Sequence, residues 1–284
     1  MMRHPCENNP LRFPGLANTF EAAAAFILIL ICNSVSAATH SKSIPLPRTA
    51  SEATTTAADK LRIIAILKGL QSRGKTLHNF QAHLVVKVHH LRTDEKDMSI
   101  GHIWYQQQHG KTEFDIRFNI LVVDGAIAKR HADHDIVFDG HWLIDRNGSA
   151  KIFRKIEIAP PGRKFNPLRL GQGPIPIPIG QKPSDVEKEF HINLLRDKAM
   201  PPHTVGLQLI PRDLSAFTFT EVDFWINTQS WLPIKIIRTD PDGTPTTATF
   251  SKMVINNKAM RHNFHLSPPG SGWTVQIRPF HARP

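Results

Sequence analysis

The densest set of chemically able side chains lies in HADHDIVFDGH, which places His131, Asp133, His134, Asp135, Asp139 and His141 within eleven residues. Imidazoles and carboxylates at close spacing could hold a metal ion or share a proton. Two neutral imidazoles three apart face the same way on a helix, but this stretch runs into a strand and a hairpin. Asp139 precedes Gly140 and belongs to a turn. The chain has no H-E-x-x-H pair to anchor a zinc site and no G-x-S-x-G elbow to expose a nucleophilic serine. His89 and His90 point to opposite faces of one strand. The glycines of GQGPIPIPIGQK (171–182) do not cradle phosphate. Gly171 and Gly173 lack the third glycine of a dinucleotide loop, and Gly180 is followed by Gln181-Lys182-Pro183 in place of Gly-Lys-Ser/Thr. Catalytic residues, metal ligands and cofactors are therefore all expected to be absent. A hydrolase built on the His131–His141 cluster is the minor alternative.

With no reactive centre to position, the elements themselves carry the reading. Residues 1–37 combine Arg3 and Arg12, an apolar run over 22–31 and the small-residue end NSVSA, the pattern of a cleaved secretory signal peptide. Both cysteines, Cys6 and Cys32, fall inside it, so the mature chain is expected to have neither disulfides nor thiol chemistry. Removing this segment takes two bases and two acids and leaves the net charge at +11. Export makes nucleic acid an implausible target for that charge; an anionic membrane surface or an acidic polymer fits better, and a merely solvated basic surface fits equally well. Residues 38–56 are rich in Ser, Thr, Ala and Pro and read as a flexible leader.

Ile63, Ile66, Leu67 and Leu70 recur at helical spacing and predict one amphipathic helix over about 57–73, closed by Gly74. The period then changes to two. Phe80, Ala82, Leu84, Val86 and Val88 share one face of a strand, and Phe114, Ile116, Phe118 and Ile120 share one face of another. Asp139-Gly140 and Asn147-Gly148 predict two tight hairpins with positive φ at both central residues. A short helix follows in PSDVEKEF, with Ser184 and Glu187 as a capping box. Strands then resume at 191–195, 205–210, 217–226, 233–239 and 244–250. The expected fold is mainly β (α+β): a curved antiparallel sheet, or incomplete β-barrel, wrapped around the N-terminal helix with a short second helix. This domain spans 57–266, and 267–284 form a C-terminal tail.

The unit IVFDGHWLID and the run FTEVDFWINTQSWLPIKIIRTDPDGTPTTATF carry a resemblance. Val222, Phe224, Trp231, Leu232-Pro233, Asp240, Gly243 and Phe250 resemble the strand, Leu-Pro, strand, Asp-x-x-Gly, strand segment of the periplasmic lipoprotein carrier superfamily (LolA/LolB-like, outer-membrane lipoprotein-sorting proteins). The resemblance covers roughly residues 57–266. It implies an incomplete barrel closed by helices, with acyl chains held in the hollow.

The residues allow the same reading. A dozen strands with one apolar face expose more than one helix can cover, and each buried CH₂ of a lipid chain gains about 0.8 kcal/mol. The expected walls are Leu84, Val86, Val88, Trp104, Phe114, Ile116, Phe118 and Phe224. Ile175, Ile177 and Ile179 lie over the mouth as a stiff flap or edge strand, because alternating prolines leave one edge without donors. The expected function is a non-catalytic periplasmic carrier or sensor, a monomer whose partner is a lipid or acylated lipoprotein. A second reading keeps the same sheet with a filled core and uses its basic face to dock in the cell envelope.

Overall fold

A computed structural model describes residues 56–158, 168, 170 and 177–280. The signal segment, nearly all of the leader and Ile175 lie outside the described residues. Helix α1 (Ala57–Thr76) opens on Thr56, whose hydroxyl accepts from the Asp59 N–H at 3.1 Å, and ends with Arg73 and Lys75 in its last turn. Its buried stripe is the expected set Ile63, Ile66, Leu67 and Leu70. Gly74 does not close the helix. It sits inside, where a Cβ would lie 2.2 Å from the Cα of Gly180, so its bare backbone lets that loop approach.

Six antiparallel neighbours follow: β1 (Asn79–His90), β2 (Glu95–Gln108), β3 (Lys111–Val123), β4 (Ala126–Phe138), β5 (Trp142–Asn147) and β6 (Ile152–Glu157). Helix α2 (Pro183–Glu189) precedes a second meander: β7 (Phe190–Leu195), β8 (Thr204–Pro211), β9 (Glu221–Asn227), β10 (Leu232–Thr239) and β11 (Pro245–Ile255). Pairing of β1 with β11 joins the two meanders, and β12 (Thr274–Arg278) adds in parallel to β6. The result is one curved, unclosed sheet of twelve strands with β12 and β7 at its edges. The expected tail is thus partly sheet.

Turn chemistry differs from expectation in an instructive way. The two-residue hairpins with positive φ at both positions are His109-Gly110 and Asp124-Gly125. At Asp139-Gly140 only the glycine has positive φ, and the Asp139 carboxylate accepts from the His141 and Trp142 N–H groups. The turn after Asn147 is longer, and its positive φ falls on Lys151. Helix α2 takes Lys182 as N-cap with Pro183 in its first turn, so Ser184 and Glu187 form no capping box.

Alternation gives the sheet two unlike faces. Phe80, Leu84, Val86, Ile103, Tyr105, Phe114, Ile116, Phe118, Phe138, Phe224, Ile236 and Phe250 point to the concave side and pack with α1 in one buried cluster. Burial there pushes the Tyr105 hydroxyl up to about 12.

Candidate functional site

The concave face is the candidate site, and its covering is uneven. The C-terminal half of α1 is fastened. The Gly180 N–H donates to the Leu70 carbonyl at 3.1 Å, and the Arg73 Nε donates to the Ser230 carbonyl. Asn256 donates to the Thr76 carbonyl at 2.7 Å, and the Trp231 ring fills the space over Gly69. The N-terminal half packs beside edge strand β7, and just past that strand Arg196 pairs with Asp59 at 2.6 Å. Along that edge Ile192, Leu194 and Val205 turn toward the concave cluster yet are only partly buried. A cleft of about 360 Å³ opens here, floored by Ile63, Ile64, Phe190 and Ile192 and rimmed by Lys60, Glu187, His191, Asn193 and Arg212.

Of the expected walls, Leu84, Val86, Phe114, Ile116, Phe118 and Phe224 share the concave cluster. Ile177 and Ile179 are buried in it too, beside Leu168 and Leu170. Their backbone forms no strand. Ile177 donates to the Leu168 carbonyl at 3.3 Å, and the chain then turns onto α1 through Gly180. Val88 is buried but stands apart from the contiguous cluster, paired with Asp97 and Thr246 at the far rim. That rim also holds Arg238, fully buried, whose guanidinium lies 2.8 Å from Asp240; burial lowers the Arg238 pKa and raises that of Asp240.

Trp104 is a correction. Its neighbours Ile103 and Tyr105 face inward, so Trp104 points to the convex side, where its ring stacks 4.3 Å from His262. The strand reading MSIGHIWYQQQ has no clean alternation, and ring size alone does not reveal the face.

The convex face carries what the sequence did not announce. Residues after β11 recross the sheet and set Phe264 and Leu266 on Val137, Ile144 and Phe153, with Trp104, Trp142, Met260 and Trp273 around them. Asp115, fully buried, accepts from Arg117 at 2.7 Å and faces His262 Nε2 at 2.7 Å. The carboxylate holds the Arg117 guanidinium above its ordinary value. Asp135, raised by burial with Arg146 partly offsetting, lies on the same face.

The His131–His141 cluster is dispersed by the pleat. His134 turns inward to Asp145 at 2.8 Å, whose other oxygen meets Arg154 at 3.3 Å. Asp135 turns outward to Arg146, and His141 pairs with Glu157 at 2.6 Å. Among the described residues no three His, Cys, Asp or Glu side chains converge as a metal site. No described helix is long and apolar enough to cross a membrane.

Neither a family model nor a curated protein matches the chain. Solved structures do. A chain of the Pseudomonas aeruginosa MucA/MucB complex is 16% identical over 69% of this chain and 58% of its own length, with a TM-score of 0.41. The LolA superfamily protein NE2245 from Nitrosomonas europaea is 15% identical over 68% and 93%, with a TM-score of 0.32. LprF from Mycobacterium bovis is 14% identical over 75% and 99%, with a TM-score of 0.38. At these values they stand as likenesses of fold alone. The observed architecture, an unclosed sheet curled over a helix, is the one implied by the resemblance to the LolA/LolB-like superfamily.

Proposed function

We propose that the protein binds an acyl chain, free or carried by a lipidated protein, on the concave face of its sheet, without catalysis. The chain enters between α1 and β7. The protein works as a monomer in the periplasm, where residues 1–37 direct it. One observation carries this reading: a cleft opens between α1 and the β7 edge of the sheet, where Ile192, Leu194 and, on β8, Val205 pack against the concave cluster yet are only partly buried. A half-open apolar lip over a large apolar interior suits a long apolar ligand, because each methylene that enters adds to affinity. Uptake of a neutral apolar fluorophore by the purified protein, with mass spectrometry of co-purifying lipid, tests it. Ile192→Asp should cut uptake at least fivefold with little loss of stability. Ile116 is unsuitable for that test, since it is fully enclosed and a charge there would unfold the sheet.

A docking domain with a filled core is the second reading. It is favoured by the depth of the cluster, in which Phe114, Phe138 and Phe224 are wholly enclosed by protein atoms. Absence of lipid and probe, together with salt-sensitive binding to anionic vesicles, would select it.

A further inference from the structure

The cleft between α1 and β7 is more than an opening, because its rim is charged. Lys60 lies on the second turn of α1, and its ammonium forms no ion pair among the described residues. Arg212 follows β8 and faces it across the cleft. Its Nε donates to the Glu187 carbonyl at 3.0 Å, and its Nη1 lies 3.4 Å from His191 Nε2. That backbone bond fixes the guanidinium and leaves its other nitrogens free of carboxylate partners among the described residues. One carboxylate, Glu187, also lines the rim, so the rim carries two cations to one anion. Below these groups lie only apolar side chains, Ile63, Ile64, Phe190 and Ile192. Cations over an apolar slot match an amphiphile with an anionic end.

We infer that this cleft is a head-group site, in which Lys60 and Arg212 bind the carboxylate or phosphate of an acyl-chain amphiphile while its chain passes between α1 and β7 onto the concave face. The inference rests on the acyl-binding reading and adds selectivity to it. A charged head that stays at the rim keeps its hydration on the solvent side, so the cations gain attraction without full desolvation. The chain supplies most of the affinity, and the rim discriminates between heads.

The test is competition against a bound neutral fluorophore, using hexadecanol, palmitate, hexadecyl phosphate and inorganic phosphate. For the natural protein, palmitate and hexadecyl phosphate should displace the probe at about tenfold lower concentration than hexadecanol, equivalent to about 1.4 kcal/mol. Inorganic phosphate without a chain should displace nothing. In the double variant Lys60→Gln/Arg212→Gln the advantage of the anionic heads should fall to within about twofold, with hexadecanol displacement unchanged. Both side chains are exposed, so the fold should survive, and unchanged hexadecanol binding reports that directly. An advantage that persists in the double variant, or no advantage in the natural protein, overturns the head-group site alone. Failure of the natural protein to take up the neutral probe overturns the acyl-binding reading and this site with it. Displacement by inorganic phosphate would replace the lipid head group with a free-anion site.

Discussion

The two faces of the sheet solve the same covering problem with different materials. On the concave side one helix, a short helix and Leu168, Leu170, Ile177 and Ile179 help enclose a continuous apolar cluster, with the ion pairs His134–Asp145 and Arg238–Asp240 beside it. On the convex side the chain's last residues cover a smaller apolar patch. There Asp115, Arg117, His262 and Trp104 interleave charge with aromatic surface. The concave cover is hydrogen-bonded down at the C-terminal end of α1 and borders a cleft at the other. The convex cover is tied by a buried carboxylate, and ionic ties make a closure depend on geometry more than on area.

The largest effect should come from the concave centre. Phe138→Ala empties a fully enclosed site against Phe114 and should cost about 3–5 kcal/mol in urea unfolding. The convex counterpart Phe153→Ala lies under a thinner layer that can settle inward, and should cost nearer 2–3 kcal/mol; equal losses would erase the contrast. Next comes Asp115→Ala. It strands Arg117 and His262, but Arg117 is about half in solvent, so the loss should be about 2 kcal/mol. A double-mutant cycle with His262→Gln should then show coupling. Additive effects would mean that His262 merely packs.

Gly74→Ala drives a methyl into the Gly180 backbone and should loosen the fastened end of α1. Hydrogen exchange should rise at Gly180 and Leu70 ahead of any change in β2 or β3. The smallest effect is electrostatic. Burial pushes Asp223, on the convex side of β9, up to about 6, with Glu221 adding to the rise. Its folded-state value exceeds its unfolded one, so the fold binds that proton more tightly. Stability from this group is present below about pH 4 and is lost as pH rises toward 6. Asp223→Asn should therefore raise Tm at pH 8 and leave it nearly unchanged at pH 4.

The legible parts of the fold were those where one physical rule acted alone. The α1 stripe, the β1 alternation and β3 as far as Phe118 emerge as read because a helix or strand with one buried face leaves a clean period, whereas a bulge after Phe118 takes Ile120 out of the concave cluster. Trp104 escaped because its face is covered by residues about 160 positions later, which local periodicity does not register. The polar outward residues Asp115 and Arg117 looked solvent-facing for the same reason. Gly74 looked like a helix stop, since a glycine needed for close approach and one needed for positive φ are alike in sequence. The half-open β7 edge had no sequence signature. It depends on how α1 settles against an edge strand far along the chain, which is a matter of tertiary placement.

The parallel docking of β12 on β6 has a consequence in time. Its partners are Thr274 to Arg278 and Ile152 to Ile156, so this edge joins residues about 120 positions apart. Long-range pairings of this kind form late. A chain still emerging, or clipped before residue 257, has every strand of both meanders but leaves Val137, Ile144 and Phe153 facing water. Such a chain can complete its concave core and still be sticky on the back. Residues 260–278 thus act as a finishing seal on the nascent molecule, and the quality of that seal should decide whether newly made protein stays dispersed or clumps.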